Sequence, residues 1–356
     1  MMELNGEIDS MVSSRFKVLD RYEREDGTLE YLVEDGDLKL KFERLVQGLK
    51  ARGYLASLRR RDSSLVLYVF KAPQVKRRSN LKPLGLLLAT VLVVALDGYI
   101  RFMGLPKITI FESVFLYTAG MMGIIGIHEF GHKLASWYHK RKTSLPYFIP
   151  GIPGFWPTLG AVITSLEPPV NRDSLFDLGI SGPIAGLVTT FVVSVVAGMT
   201  SPVLTQRELS HYLSSGLLVE VNRLDIYTEW LINYFHPNQN VILSPLFFAS
   251  SIGFFVTFLN LFPAWQLDGG HIASAALGAE KHKITTFISA VVMMLMGFVL
   301  MGLLVLILST YSPEMRPLDE VSPLSKGRKL AFVASLALLV WLYFFTIRGN
   351  MLFTYF

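Results

Sequence analysis

Long apolar runs at 83–102, 111–138, 179–200, 244–263, 284–309 and 329–347 alternate with shorter polar stretches. Each is close to the roughly 20 residues a helix needs to cross a bilayer, so the pattern predicts six spans. The front of the chain follows another rhythm. Alternating positions in 15–22 and 29–34 predict two strands around the turn Asp26-Gly27. Asp37 then caps a helix predicted over 38–52, Gly53 ends it, and 54–60 with 65–70 predict a second hairpin. Between the second and third spans, 145–170 holds six prolines and only one charged residue, Glu167. That is too apolar for a solvated loop and too broken for a helix, so it is expected at membrane depth, packed on protein or lining a cavity. The fold class is therefore an all-α polytopic membrane protein of about six transmembrane helices, with a membrane-embedded irregular or β segment. A small soluble α/β domain at 1–75 precedes the membrane domain at 76–356.

Charge adds a direction. Lys76, Arg77, Arg78 and Lys82, then Lys140, Arg141 and Lys142, then Lys281 and Lys283 fall in short loops on one side, which the positive-inside rule makes cytoplasmic. Six spans return the chain to its starting side, so both termini are expected there. Arg316, Lys326, Arg328 and Lys329 disagree, since this count leaves them outside. Asp97 and Arg101 shorten the first run and are read as interfacial. Gly182-x-x-x-Gly186 reads as a close helix contact. A helical spacing of apolar residues over 216–234 reads as an interfacial or docked helix. The first 30 residues have no apolar stretch of the signal-peptide kind, so none is expected.

Composition narrows the chemistry. The chain has 356 residues, 51% of them hydrophobic, a net charge of +5 and no cysteine. No basic stripe with interleaved aromatics appears, so nucleic acid is not an expected partner. Without thiolates, a metal must be held by imidazole and carboxylate. His128-Glu129-Phe130-Gly131-His132 sits inside the second run. On a helix the two histidines share a face and can hold one Zn²⁺ per chain, with Glu129 beside it as general base. Charge or imidazole at membrane depth costs about 2.5 to 3.5 kcal/mol per charged group on insertion scales and is retained there for function.

A catalytic zinc needs a third protein ligand. Asp268, in Leu267-Asp268-Gly269-Gly270-His271 just past the fourth run, is one candidate, though it could instead cap a helix starting near Gly270. His271 is the rival. His139, His211, His236 and His282 read as surface residues. Even-numbered spans run the same way, so the two motifs reach one face of the membrane. Asn260, three residues before Pro263, either hydrogen-bonds a scissile carbonyl or satisfies backbone freed by the proline.

His128-Glu129-Phe130-Gly131-His132, Gly182-Pro183-Ile184-Ala185-Gly186 and Asn260-Leu261-Phe262-Pro263 through Leu267-Asp268-Gly269-Gly270-His271 together resemble the site-2 protease family of intramembrane metalloproteases over about 83–347. Pro317-Leu318-Asp319-Glu320 and the N-terminal domain are similar to its archaeal and plastid branch. The resemblance implies cleavage within a transmembrane helix of substrate proteins. It also implies His128, His132 and Asp268 as zinc ligands and Glu129 as the base, in the cell membrane or, for a plant homologue, a plastid membrane. No inserted PDZ domain is apparent. Other readings of the same residues are a membrane cation transporter, which would spread polar residues over several spans, and an inactive scaffold, which would have no need of Glu129.

Overall fold

The computed structural model describes residues 2–73, 79–219, 224–311 and 315–348. Lys76, Arg77 and Arg78 of the basic cluster, and 220–223 of the 216–234 segment, lie outside the described residues.

The N-terminal unit runs α1 (Met2–Ser13), β1 (Val18–Glu23), β2 (Leu29–Val33), α2 (Lys39–Lys50), β3 (Tyr54–Arg61) and β4 (Ser64–Lys71), with an antiparallel sheet in the order β1-β2-β4-β3. Alternation does the building: Leu29, Tyr31 and Val33 pair with Val69, Leu67 and Leu65, and all six point to one buried face. Phe42, Leu45 and Leu49 of α2 cover that face together with Ile8 and Val12 of α1. The expected strands and α2 are present. The Asp37 cap is not, because the residue at the cap position is Leu38, which makes no side-chain bond. Helix α1 gave no clear sequence signal, since its few apolar residues are interleaved with Gly6, Asp9 and Ser10.

The rest of the chain is built on α3 (Leu81–Phe102), α4 (Ile110–Tyr138), a hairpin of β5 (Tyr147–Ile152) and β6 (Trp156–Val162), and α5 (Arg172–Thr200). Short elements follow: β7 (Val203–Leu204), α6 (Gln206–Ser214), α7 (Ile226–Phe235) and β8 (Asn240–Val241). Then come α8 (Pro245–Asn260), α9 (Asp268–Leu277), α10 (Ala279–Leu295), α11 (Val299–Tyr311) and α12 (Lys326–Leu342), the last continued by a π-helical turn at Tyr343–Ile347. Among the described residues, α3, α4, α5 and α12 with its π turn are long and apolar enough to cross a membrane. Their outer faces are apolar and uncovered, as Leu84, Leu88, Leu92 and Leu96 of α3 illustrate, while Thr90 and Asp97 on the same helix are fully buried. That inversion suits a hydrocarbon solvent. Asp97 is thus buried against protein.

Helix α8 is buried nearly all round, as a helix apolar on every face should be. At 16 residues it is roughly 24 Å long, shorter than a hydrocarbon core.

The expectation for the fifth apolar run is corrected. The run 284–309 is not one span: it breaks at Gly297, whose φ of +97° glycine adopts without strain, and α11 folds back along α10 so that Gly302 lies against the Ala290 carbonyl. Hydropathy alone does not see this turn. The chain then returns to the N-terminal unit. Leu58 N donates to the Leu318 carbonyl at 2.8 Å, Leu318 is buried in the core of that unit, and Lys39 meets Asp173 at 2.6 Å. Helix α12 starts there and runs parallel to α5, with Arg328 on Asp173 and Asp177 near its start and Trp341 against Phe191 further along. The C-terminal end of α12 therefore lies away from the N-terminal unit, which sits at the start of that helix.

Candidate active site

Helix α4 carries His128 and His132 one turn apart, with their Nε2 atoms 3.2 Å from one another. Asp268, the first residue of α9, faces both: Oδ2 is 3.1 Å from His128 Nε2 and Oδ1 is 3.2 Å from His132 Nε2. Ligand atoms bonded at 2.0 to 2.1 Å to one tetrahedral metal stand about 3.3 Å apart, so the donor set fits Zn²⁺. The hydrogen bonding agrees. His132 Nδ1 lies 2.8 Å from the Leu178 carbonyl and must donate to it, which leaves the Nε2 lone pair for a metal. The buried Asp268 Oδ2 has no donor aligned on it, a costly arrangement unless a cation is its partner. Glu129 is buried beside this set, with its carboxylate within 4.8 Å of the histidine nitrogens.

Local sequence explains why Asp268 arrives there. After Asn260 the chain turns through Pro263 and through Trp265, a non-glycine residue at φ +44°. The start of α9 is pressed onto this turn. A Cβ at Gly269 would sit 2.2 Å from the Leu261 carbonyl oxygen, and one at Gly270 would sit 2.1 Å from that of Trp265. The diglycine thus serves close backbone approach. The residue capping α9 is Leu267, so Asp268 is not a helix cap and its carboxylate is directed at the imidazoles.

Helix α5 closes the site from the other side with Gly179, Gly182 and Gly186. A Cβ on Gly182 would lie 2.1 Å from His132 Nε2, and one on Gly186 would lie 3.0 Å from His128 Nδ1. The glycine pair read as a helix contact is one, and what it admits is the pair of imidazoles. Pro183 offers no N–H to the Gly179 carbonyl. The Leu178 carbonyl and the steric role of Gly182 went unassigned in the sequence, although a proline between two glycines in an apolar helix was the visible sign.

Asn260, His271 and Gln266 line the same cavity of about 240 Å³ as the two histidines, and so do Ala161 and Val162 of β6 and Met315. His271 is not among the donors that meet at Asp268. The other histidines stand elsewhere: His139 pairs with Asp177 at 2.9 Å, His236 contacts the Gly198 carbonyl, and His282 is fully buried in α10, not on the surface. At the base of the hairpin, Arg141 donates to Ser165 Oγ and to the Glu167 carbonyl. Burial pushes its guanidinium down to about 10, so it keeps its charge at neutral pH.

The model for peptidase family M50 matches residues 116–304, more than half of the chain and the stretch that holds every residue of this cluster. Two relatives are each called "Probable zinc metalloprotease EGY1, chloroplastic". The one from Oryza sativa subsp. japonica is 29% identical over 243 residues, covering 64% of this chain and 40% of its own length. The one from Arabidopsis thaliana is 30% identical over 235 residues, covering 62% and 41%. The chain thus spans about two fifths of the length of these relatives. No solved structure matches it.

Proposed function

Because the chain belongs to peptidase family M50, we propose that it is an intramembrane zinc metalloprotease of the site-2 type, hydrolysing a peptide bond within a transmembrane segment of a substrate protein. The observation that carries this reading is the convergence of His128, His132 and Asp268 at 3.1 to 3.2 Å, with Glu129 beside them. These three residues would hold the metal. A bound Zn²⁺ supplies Lewis acidity and lowers the pKa of a water from 15.7 toward about 7. Glu129 takes the proton of the attacking water and delivers it to the departing amide nitrogen as the C–N bond breaks. Asn260, on the cavity wall, is positioned to donate to the carbonyl under attack.

A substrate helix hides its carbonyls in its own hydrogen bonds, so it must unwind before attack. Among the described residues strand β6 pairs with β5 alone, and Ala161 and Val162 line the cavity, so its other edge offers backbone donors and acceptors to an extended substrate strand. The transporter reading is disfavoured by another polar group in the bundle: the Asp97 carboxylate is taken up by Arg101, Tyr117 and the Gly154 N–H.

Replacing Asp268 by alanine removes an anionic ligand, while replacing Asn260 removes a neutral amide that need not touch the cation. We expect Asp268→Ala to lose zinc and cleavage together, and Asn260→Ala to keep one zinc per chain with slower cleavage. Equal zinc loss in both, by elemental analysis of the purified proteins, would defeat the assignment.

The soluble domain at 1–75 and the membrane domain at 76–356 are proposed to sit with the former on the cytoplasmic face of a multi-pass protein. In this topology α3, α5 and α12 lead outward, α4 and α8 lead inward, and α10 with α11 dips in and returns. Arg316, Lys326, Arg328 and Lys329 then join the other inner basic residues. In sealed cells an N-terminal tag should resist external protease and a C-terminal tag should be cut. Protection of both would restore an even number of crossings.

A further inference from the structure

The fully buried Asp97 carboxylate in α3 is the hub of a polar knot that the proposed chemistry does not use. Its Oδ2 accepts from Arg101 Nε at 2.7 Å and from the Tyr117 hydroxyl of α4 at 2.6 Å, and its Oδ1 accepts from Gly154 N at 2.7 Å. Arg101 also donates to the Phe155 carbonyl at 3.1 Å and lies over the Phe248 ring of α8, 4.4 Å from its centroid. Two of these bonds go to consecutive backbone groups in one place, the turn joining β5 to β6, where Gly154 takes φ +80°. The opposite end of β6 lines the cavity at Ala161 and Val162.

A two-stranded ribbon has little stability of its own and must be held from outside. This one is tied at its base by Arg141 through Ser165 and Glu167, and at its tip by the knot. At this end Trp156 packs against Phe255, 5.5 Å between ring centroids, while Ile152, Phe155 and Leu159 are largely exposed, so the bonds to Gly154 and Phe155 are what fix the turn itself. A buried ion pair is costly unless its geometry and hydrogen bonds are well satisfied. Here each charge has a specific partner in the hairpin turn.

We propose that Asp97 and Arg101 are positioning residues that fix the tip of the β5–β6 hairpin, and so set the distance and register at which the open edge of β6 presents a substrate strand to the metal site. This rests on the protease reading above. The knot acts on where the substrate lies, not on the metal or on Glu129. Loosening it should weaken substrate alignment and let the strand slip, with the metal centre unchanged.

The test uses the full chain in lipid vesicles with a single-span test substrate. The variants are Asp97→Asn, which keeps the shape and removes the charge, and Asp97→Leu with Arg101→Leu, which removes both charges so that neither is left buried alone. Tyr117→Phe deletes one hydrogen bond and spares the hairpin contacts. Hydrogen exchange read on peptides over 147–162 should quicken in the first two variants while zinc content and exchange over 120–135 stay parental. In the same two, kcat/KM should fall about 10- to 100-fold, mostly through KM, and mass spectrometry should find additional cut positions. Tyr117→Phe should cut at the parental position. Parental hairpin exchange and parental cut positions in both charge variants would overturn the proposal. A parent chain that cuts nothing would instead count against the protease reading.

Discussion

Gly182→Ala should strip the zinc and the cleavage activity from a chain that still folds. A Cβ at this position would lie 2.1 Å from His132 Nε2, where ordinary contacts exceed 3.4 Å, so the imidazole must move by more than an ångström. The two helices are already in close contact next to the site, since a Cβ at Gly131 of α4 would lie 2.5 Å from the Ser181 carbonyl oxygen of α5. A displacement of that size costs on the order of 10²-fold even when the metal stays. Here the displaced atom is a proposed ligand, so metal affinity falls as well. Helix α5 gains propensity from alanine, and the change lies in one spot of a 29-residue helix, so the fold should persist. Elemental analysis with circular dichroism on the same sample checks this. Full zinc occupancy in folded Gly182→Ala would show that the imidazole is not held where the geometry puts it.

Much of this arrangement was readable in the chain, for reasons that differ from part to part. The two histidines need only helical spacing to share a face, and strand alternation in 29–34 and 65–70 needs only a period of two; both are local properties. Asp268 was open between cap and ligand because its partners lie more than 130 positions earlier in the chain. Only the fold decides such a pairing. The 284–309 run failed for the opposite reason: its composition is uniformly apolar, and the break rests on one glycine dihedral. The basic residues at 316 to 329 conflict with six crossings under the positive-inside rule, and that conflict is visible in the sequence alone. The three hydrogen bonds of Asp97 come from α3, α4 and the hairpin turn, which no local pattern connects.

The second large effect is Glu129→Gln. The amide keeps the shape of the carboxylate and removes its capacity to accept a proton, while His128, His132 and Asp268 remain to hold the metal. Loss of a general base costs about 10²- to 10⁴-fold in rate. A transporter has no peptide cleavage to lose, and an inactive scaffold shows none in the parent. The decisive measurement is therefore made on two zinc-loaded preparations in lipid vesicles, parent and Glu129→Gln, with zinc content and the cleavage rate of one single-span substrate read from the same sample. The account predicts one zinc per chain in both, cutting inside the span by the parent, and a variant slower by about 10²- to 10⁴-fold. Equal cleavage rates with zinc retained, or no cleavage by a zinc-loaded parent, would contradict it.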